Sequence, residues 1–135
     1  MAEKLTDFMN FLEKSEPQPS TSPQVYYGSA EDSLSLYFRP DESHAHRLNS
    51  LVTIFLTHAG DELVGCEIKG LRRRLKTDGN FLVAITRNDE LELGLFFYVL
   101  AYEAPAQESK NRLLQLGELA KGVRLDTREM ALSSR

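Results

Sequence analysis

Four side chains able to ligate a metal ion, His44, His46, His58 and Cys66, fall within 23 residues of this chain. In an extended segment His44-x-His46 would place both imidazoles on one face. Zinc sites are usually built on tighter pairs, such as Cys-x2-Cys or His-x3-His. Loop histidines beside Asp41, Glu42 and Ser43, with a core cysteine, account for the same residues. No metal site is assigned on this pattern, and His44, His46 and His58 stand as weak candidates. The second constellation is cationic. Lys69, Arg72, Arg73, Arg74 and Lys76 put five positive charges into eight residues. Arginine forks grip phosphate or carboxylate bidentately, so this run points to a phosphate, a nucleic-acid backbone or an acidic protein surface. Three adjacent arginines cannot share one helical face. Interleaved aromatics, which would stack on single-stranded bases, are absent from the segment.

Nucleophilic chemistry has less support. Cys66 alternates with Val64 and Ile68 on what reads as an apolar strand face, while Glu67 and Lys69 point the other way. A reactive thiolate needs exposure and a base or positive field, and a core cysteine has neither. There is no Gly-x-Ser-x-Gly elbow, no phosphate-cradling Gly-x4-Gly-Lys-Ser/Thr and no Gly-x-Gly-x-x-Gly. The acidic pairs Glu31/Asp32, Asp41/Glu42, Asp61/Glu62 and Asp89/Glu90 all fall at turns, where solvation and capping explain them. No catalytic residue and no cofactor is assigned.

The elements that would position these groups are those of one domain. A chain of 135 residues can bury a single core without staples. Its net charge of -4 argues against a general polyanion binder, although a local basic patch can differ from the average. One cysteine excludes an internal disulfide and fits a reducing cytosol. No 18-residue apolar run occurs, and the N-terminus lacks a signal-peptide layout. A cytoplasmic, soluble protein is expected.

Residues 1–14 carry Leu5, Phe8, Met9 and Leu12 on one helical stripe, widened by Phe11. The polar face holds Glu3, Asp7 and Glu13 against Lys4 and Lys14, the wrong sign for anionic lipid. Residues 15–24 follow as a Pro/Ser tether, with Pro17, Pro19 and Pro23 precluding helix. Residues 25–135 form the single domain. Strands are expected at Val25–Tyr27, Ser33–Arg39 and the two arms of a hairpin, about 47–57 and 62–68, closed at Gly60-Asp61. Leu71–Lys76 reads as a helical turn and Phe81–Thr86 as a further strand. Residues 89–103 carry both strand and helix signals, with Asp89 and Glu92 spaced as a capping box that favours a buried helix. A helix from Lys110 to Lys121, capped by Ser109 and closed by Gly122, precedes a short strand at Val123–Asp126.

Residues 25–70 resemble a small uncharacterised bacterial domain family. Its pattern has a Tyr-Asp start, an acidic residue before Leu-Tyr-Ile, and a later Gly-x-Val-Val-Gly-Ile-Glu-Ile strand. The matching stretches are Tyr26-Tyr27-Gly28, then Asp32-Ser33-Leu34-Ser35-Leu36-Tyr37, then Glu62-Leu63-Val64-Gly65-Cys66-Glu67-Ile68. Gly28 stands where the family's first Asp would fall, and a further 65 residues follow Gly70. The resemblance implies a compact sheet of hairpins, often paired between subunits, and brings no catalytic residues.

The expected fold is therefore α+β: an antiparallel β-meander sheet covered by C-terminal helices, with a tethered N-terminal amphipathic helix. The favoured function is a non-enzymatic binding or protein-interaction module, homodimeric through sheet edges or the swapped helix. The alternative is a phosphate- or nucleic-acid-binding regulator using Lys69–Lys76. A metal-dependent enzyme built on the histidines comes second to it. No membrane partner is expected.

Overall fold

The computed structural model describes residues 23–130, so the amphipathic segment 1–14 and most of the tether lie outside the described residues. Strands β1 (Gln24–Gly28), β2 (Ser33–Tyr37), β3 (Ser43–Arg47), β4 (Val52–Thr57) and β5 (Leu63–Lys69) make one sheet in the spatial order β1-β2-β5-β4-β3. Every pairing is antiparallel. β3, β4 and β5 run as a meander. The β2–β3 connection carries the chain across to the far edge, so β2 pairs with β5 in Greek-key fashion.

Alternation drives this layer. Leu34, Leu36, Val52, Ile54, Leu56, Cys66 and Ile68 are buried on one face. They join Phe96, Phe97, Leu100, Leu113 and Leu116 in a single core cluster, so the C-terminal helices cover that face as expected. Each such Leu, Ile or Phe contributes about 1.5–3 kcal/mol of transfer free energy.

After the sheet come α1 (Leu71–Thr77), a 3-10 helix (Gly79–Ala84), β6 (Glu90–Glu92), α2 (Leu93–Glu103), α3 (Gln107–Leu119), β7 (Arg124–Asp126) and a final 3-10 turn (Thr127–Met130). β6 and β7 form a separate two-stranded ribbon. Several expectations are corrected here. Phe81–Thr86 has strand composition but folds as 3-10 helix, because the Asp78 carboxylate accepts from the Asn80 N–H and starts a tight turn. Phe81 and Ala84 are then buried three residues apart, leaving Leu82 and Val83 outside. Residues 89–103 divide between both readings. Glu90–Glu92 is strand, and Glu92 itself caps α2 by accepting from the Leu95 N–H at 2.7 Å. Its other oxygen takes the Gly122 N–H, tying the start of α2 to the loop after α3. α3 begins three residues earlier than Lys110, straight after Pro105 and Ala106, and has no side-chain cap.

The joint between sheet and helices is Asp32, in the β1–β2 turn with φ 56. Its carboxylate accepts the Tyr27 hydroxyl at 2.6 Å, the Arg72 N–H at 2.7 Å and the Arg73 N–H at 3.1 Å. Its carbonyl accepts the Gly70 N–H at 2.8 Å. Gly70 turns the chain from β5 into α1 with φ 76, a conformation that glycine adopts without the Cβ penalty. Thus Asp32 caps a helix whose own N-cap residue has no side chain to do so. Asp32→Gly removes the carboxylate without penalising the left-handed backbone. We expect it to lower unfolding stability by about 1–3 kcal/mol in urea titration, with Asp32→Asn losing less. Equal stability of all three proteins would contradict this role.

Candidate functional site

The cationic run is divided by the geometry of α1. Leu71 and Leu75 are buried and fix the helix against the core, so the charged residues must splay. Arg73 and Arg74 line a cleft of about 550 Å³ together with Lys69 from the end of β5. The opposite wall is Ser50 and Leu51, in the β3–β4 connection. Arg72 lies instead beside Tyr27, where its charge opposes the upward shift that burial and Asp32 impose on the phenol. Lys76 does not line the cleft. Of the five residues singled out in the sequence, Lys69, Arg73 and Arg74 are brought together and Arg72 and Lys76 are not. Ser50 could not be anticipated, since nothing in its local sequence indicates that the sheet carries it opposite α1.

Ion pairing separates these cations from others. Arg39 contacts Asp41 at 2.5 Å and Glu62 at 2.7 Å, and Arg128 contacts Asp126 at 2.7 Å. Arg74 reaches Glu103 only at 3.9 Å, and Lys69, Arg72, Arg73 and Lys76 have no ion pair among the described residues. The larger cleft, about 710 Å³ between Phe38, Leu63 and Leu119, contrasts with this one. Its arginines are occupied from within. Arg39 holds the two carboxylates above, and Arg112 donates to the Asp61 carbonyl and to Gln115.

His44 and His46 lie in β3, an edge strand and not the loop expected from its acidic surroundings. A strand with no apolar residue but alanine forms here because β4 presents a free edge to pair with. His44 and His58 come together with ring centroids 5.5 Å apart, whereas His46 sits two positions along, opposite Ile54. Cys66 lies in the core. Among the described residues no group of three or more His, Cys, Asp or Glu side chains is placed to hold a metal ion.

A third surface escaped the reading of motifs. On the sheet face away from the helices, Tyr37 and Phe55 both pair with Gly65, one from each side. Their rings stack at 5.7 Å and 11° across the intervening strand. This requires Gly65, since a Cβ there would stand 2.4 Å from the Leu36 carbonyl and 2.8 Å from the Tyr37 ring. Tyr26 (71% exposed) and Tyr37 (42%) lie open on this face. Ser33, Glu67 and Lys69 border them in a groove of about 510 Å³, where the Ser33 hydroxyl donates to Glu67 at 3.0 Å.

No family model matches the chain, and comparisons with curated proteins and with solved structures find no similar one. No described helix is long and apolar enough to cross a membrane.

Burial pushes the Cys66 thiol far above its ordinary range, with the Glu67 charge adding to the shift. The folded chain therefore keeps a proton that the unfolded chain loses near pH 8.5, so this stabilisation is full below that pH and is lost above it. Thermal midpoints should fall between about pH 8 and 10, and fall less steeply in Cys66→Ala. Alkylation by iodoacetamide at about pH 8 should follow global unfolding, and a native rate equal to that of the denatured chain would refute the assignment.

Proposed function

We propose that this chain is a non-enzymatic interaction module that self-associates, each sheet receiving the amphipathic segment 3–14 of a second copy on its open face. The supporting observation is the Tyr37–Phe55 stack over Gly65 on a face that no described helix covers. A segment with Leu5, Phe8, Met9 and Leu12 on one stripe has the complementary chemistry. Its dimensions also suit the site. Twelve residues of helix measure about 18 Å, and five strands span about 19 Å.

The tether is long enough for exchange between copies. It enters the sheet at Gln24, which pairs with Tyr37 at the border of the aromatic row. The nine residues Ser15–Pro23, three of them proline, could reach about 28 Å if fully extended. The opposite edge strand, β3, carries His44, His46 and Arg47 in exposed positions, a composition that discourages edge-to-edge pairing. The buried single cysteine is compatible with a reducing, cytoplasmic setting.

Sedimentation equilibrium on the full chain should give a dimer. Phe8→Asp on the segment and Phe55→Asp on the sheet should each weaken it at least about tenfold, since either change forces a carboxylate into an apolar contact. Leu82→Asp, on the exposed side of the 3-10 helix, should leave it unchanged. A wild-type monomer would end the proposal.

A further inference from the structure

We propose that the cleft between α1 and the β3–β4 connection is a binding site for a phosphate monoester, with Lys69, Arg73 and Arg74 holding the phosphate group. The observations that carry this site are not those that carry the self-association proposed above, although Lys69 borders both surfaces.

Lys69, Arg73 and Arg74 all line one space of about 550 Å³, in a chain with net charge -4 that pairs Arg39, Arg124 and Arg128 with carboxylates elsewhere. Placing Lys69 and Arg73 on one cleft, with no ion pair to either among the described residues, favours positive potential in a concave surface. A dianion entering that space relieves the repulsion and engages donors from two guanidinium forks. The weak Arg74–Glu103 contact, at 3.9 Å, leaves Arg74 free to turn towards such a ligand. Two carboxylates oppose it. Asp78 lines the cleft, its carboxylate already accepting from the Asn80 N–H, and Glu103, beside Arg74, lines the adjoining cleft.

The site is made by side chains and not by the helix terminus, because Asp32 already occupies the first N–H groups of α1. That excludes the simplest generic explanation for anion affinity. A polynucleotide fits less well. The cleft is short, has no aromatic wall on which bases could stack, and leaves Arg72 and Lys76 outside it. The organic part of an ester has a place of its own. Ser50, Leu51 and Arg74 also line a second cleft, of about 280 Å³, whose far wall includes Leu100, Ala104 and Pro105. A phosphate seated on Lys69 and Arg73 can therefore place an apolar substituent past Arg74 and against that wall.

Titration of the full chain with inorganic phosphate and with phenyl phosphate, followed by amide NMR, tests the proposal. Both should saturate, moving the Ser50, Gly70 and Arg73 amides, and phenyl phosphate should bind at least about fivefold more tightly through its buried ring. Arg73→Gln should weaken both ligands at least about tenfold, whereas Arg72→Gln and Lys76→Gln, with the same loss of charge, should change them less than about twofold. These substitutions are on the surface and keep Leu71 and Leu75 in place, so folding is not at stake. Absence of saturation overturns the site. Equal weakening by all three variants overturns it too, in favour of a diffuse polyanion surface, as does an oligonucleotide that binds more tightly than phenyl phosphate. Equal affinity for the two phosphates overturns the ester assignment.

Discussion

A single carboxylate decides how the two halves of this molecule meet. Asp32 stands in a hairpin turn, yet its oxygens are committed to Tyr27 and to the first N–H groups of α1, some 40 residues away. Charge-assisted bonds of this kind are about twice as strong as neutral ones, and they complement the positive end of the helix. The same residue's carbonyl fixes Gly70, so the angle at which α1 leaves β5 is set from outside α1. Everything the cationic segment can do follows from that angle. With Leu71 and Leu75 driven into the core, Arg73 and Arg74 face the β3–β4 connection and Arg72 is turned towards Tyr27.

Much of the sheet was legible in the sequence because its signals are local. Val52, Ile54 and Leu56 alternate, as do Leu34 and Leu36, and the buried Cys66 follows from its place between Val64 and Ile68. What failed to read were features set by partners distant in sequence. β3 has no apolar alternation and exists because β4 offers hydrogen bonds. Phe81–Thr86 has the residue types of a strand, but only Ile85 finds a bridge, to Leu91, and Asp78 turns the rest into 3-10 helix. The order of strands was likewise hidden, since pairing of β2 with β5 depends on a crossing that no local pattern encodes. In the candidate sites the charged residues could be named and their grouping could not. Ser50 and the Tyr37–Phe55 stack belong to elements that meet only in the folded chain.

Lys69 belongs to both surfaces. It borders the groove beside Tyr26 on the open sheet face and also lines the cleft with Arg73 and Arg74. Its strand partner is Ser33, which donates to Glu67, so acid and base alternate along this margin. An anion that draws Lys69 towards α1 removes positive charge from the sheet margin. The two proposed contacts are thus chemically distinct, with Lys69 at their boundary.

The crossing from β2 to β3 also imposes an order on folding. Ser33 meets Lys69 only after 36 intervening steps of chain, whereas β3, β4 and β5 can zip together through short hairpins. Closing the longer loop first would cost more chain entropy with fewer contacts in return. During synthesis the β1–β2 hairpin therefore emerges with one edge waiting, unpaired, until β5 has left the ribosome. Over that interval the edge of β2 is open to the wrong partner, and Leu34 and Leu36 face water until α2 and α3 also arrive. The Asp32 bonds to the Arg72 and Arg73 N–H groups require α1 to have arrived, and they tie the hairpin to it.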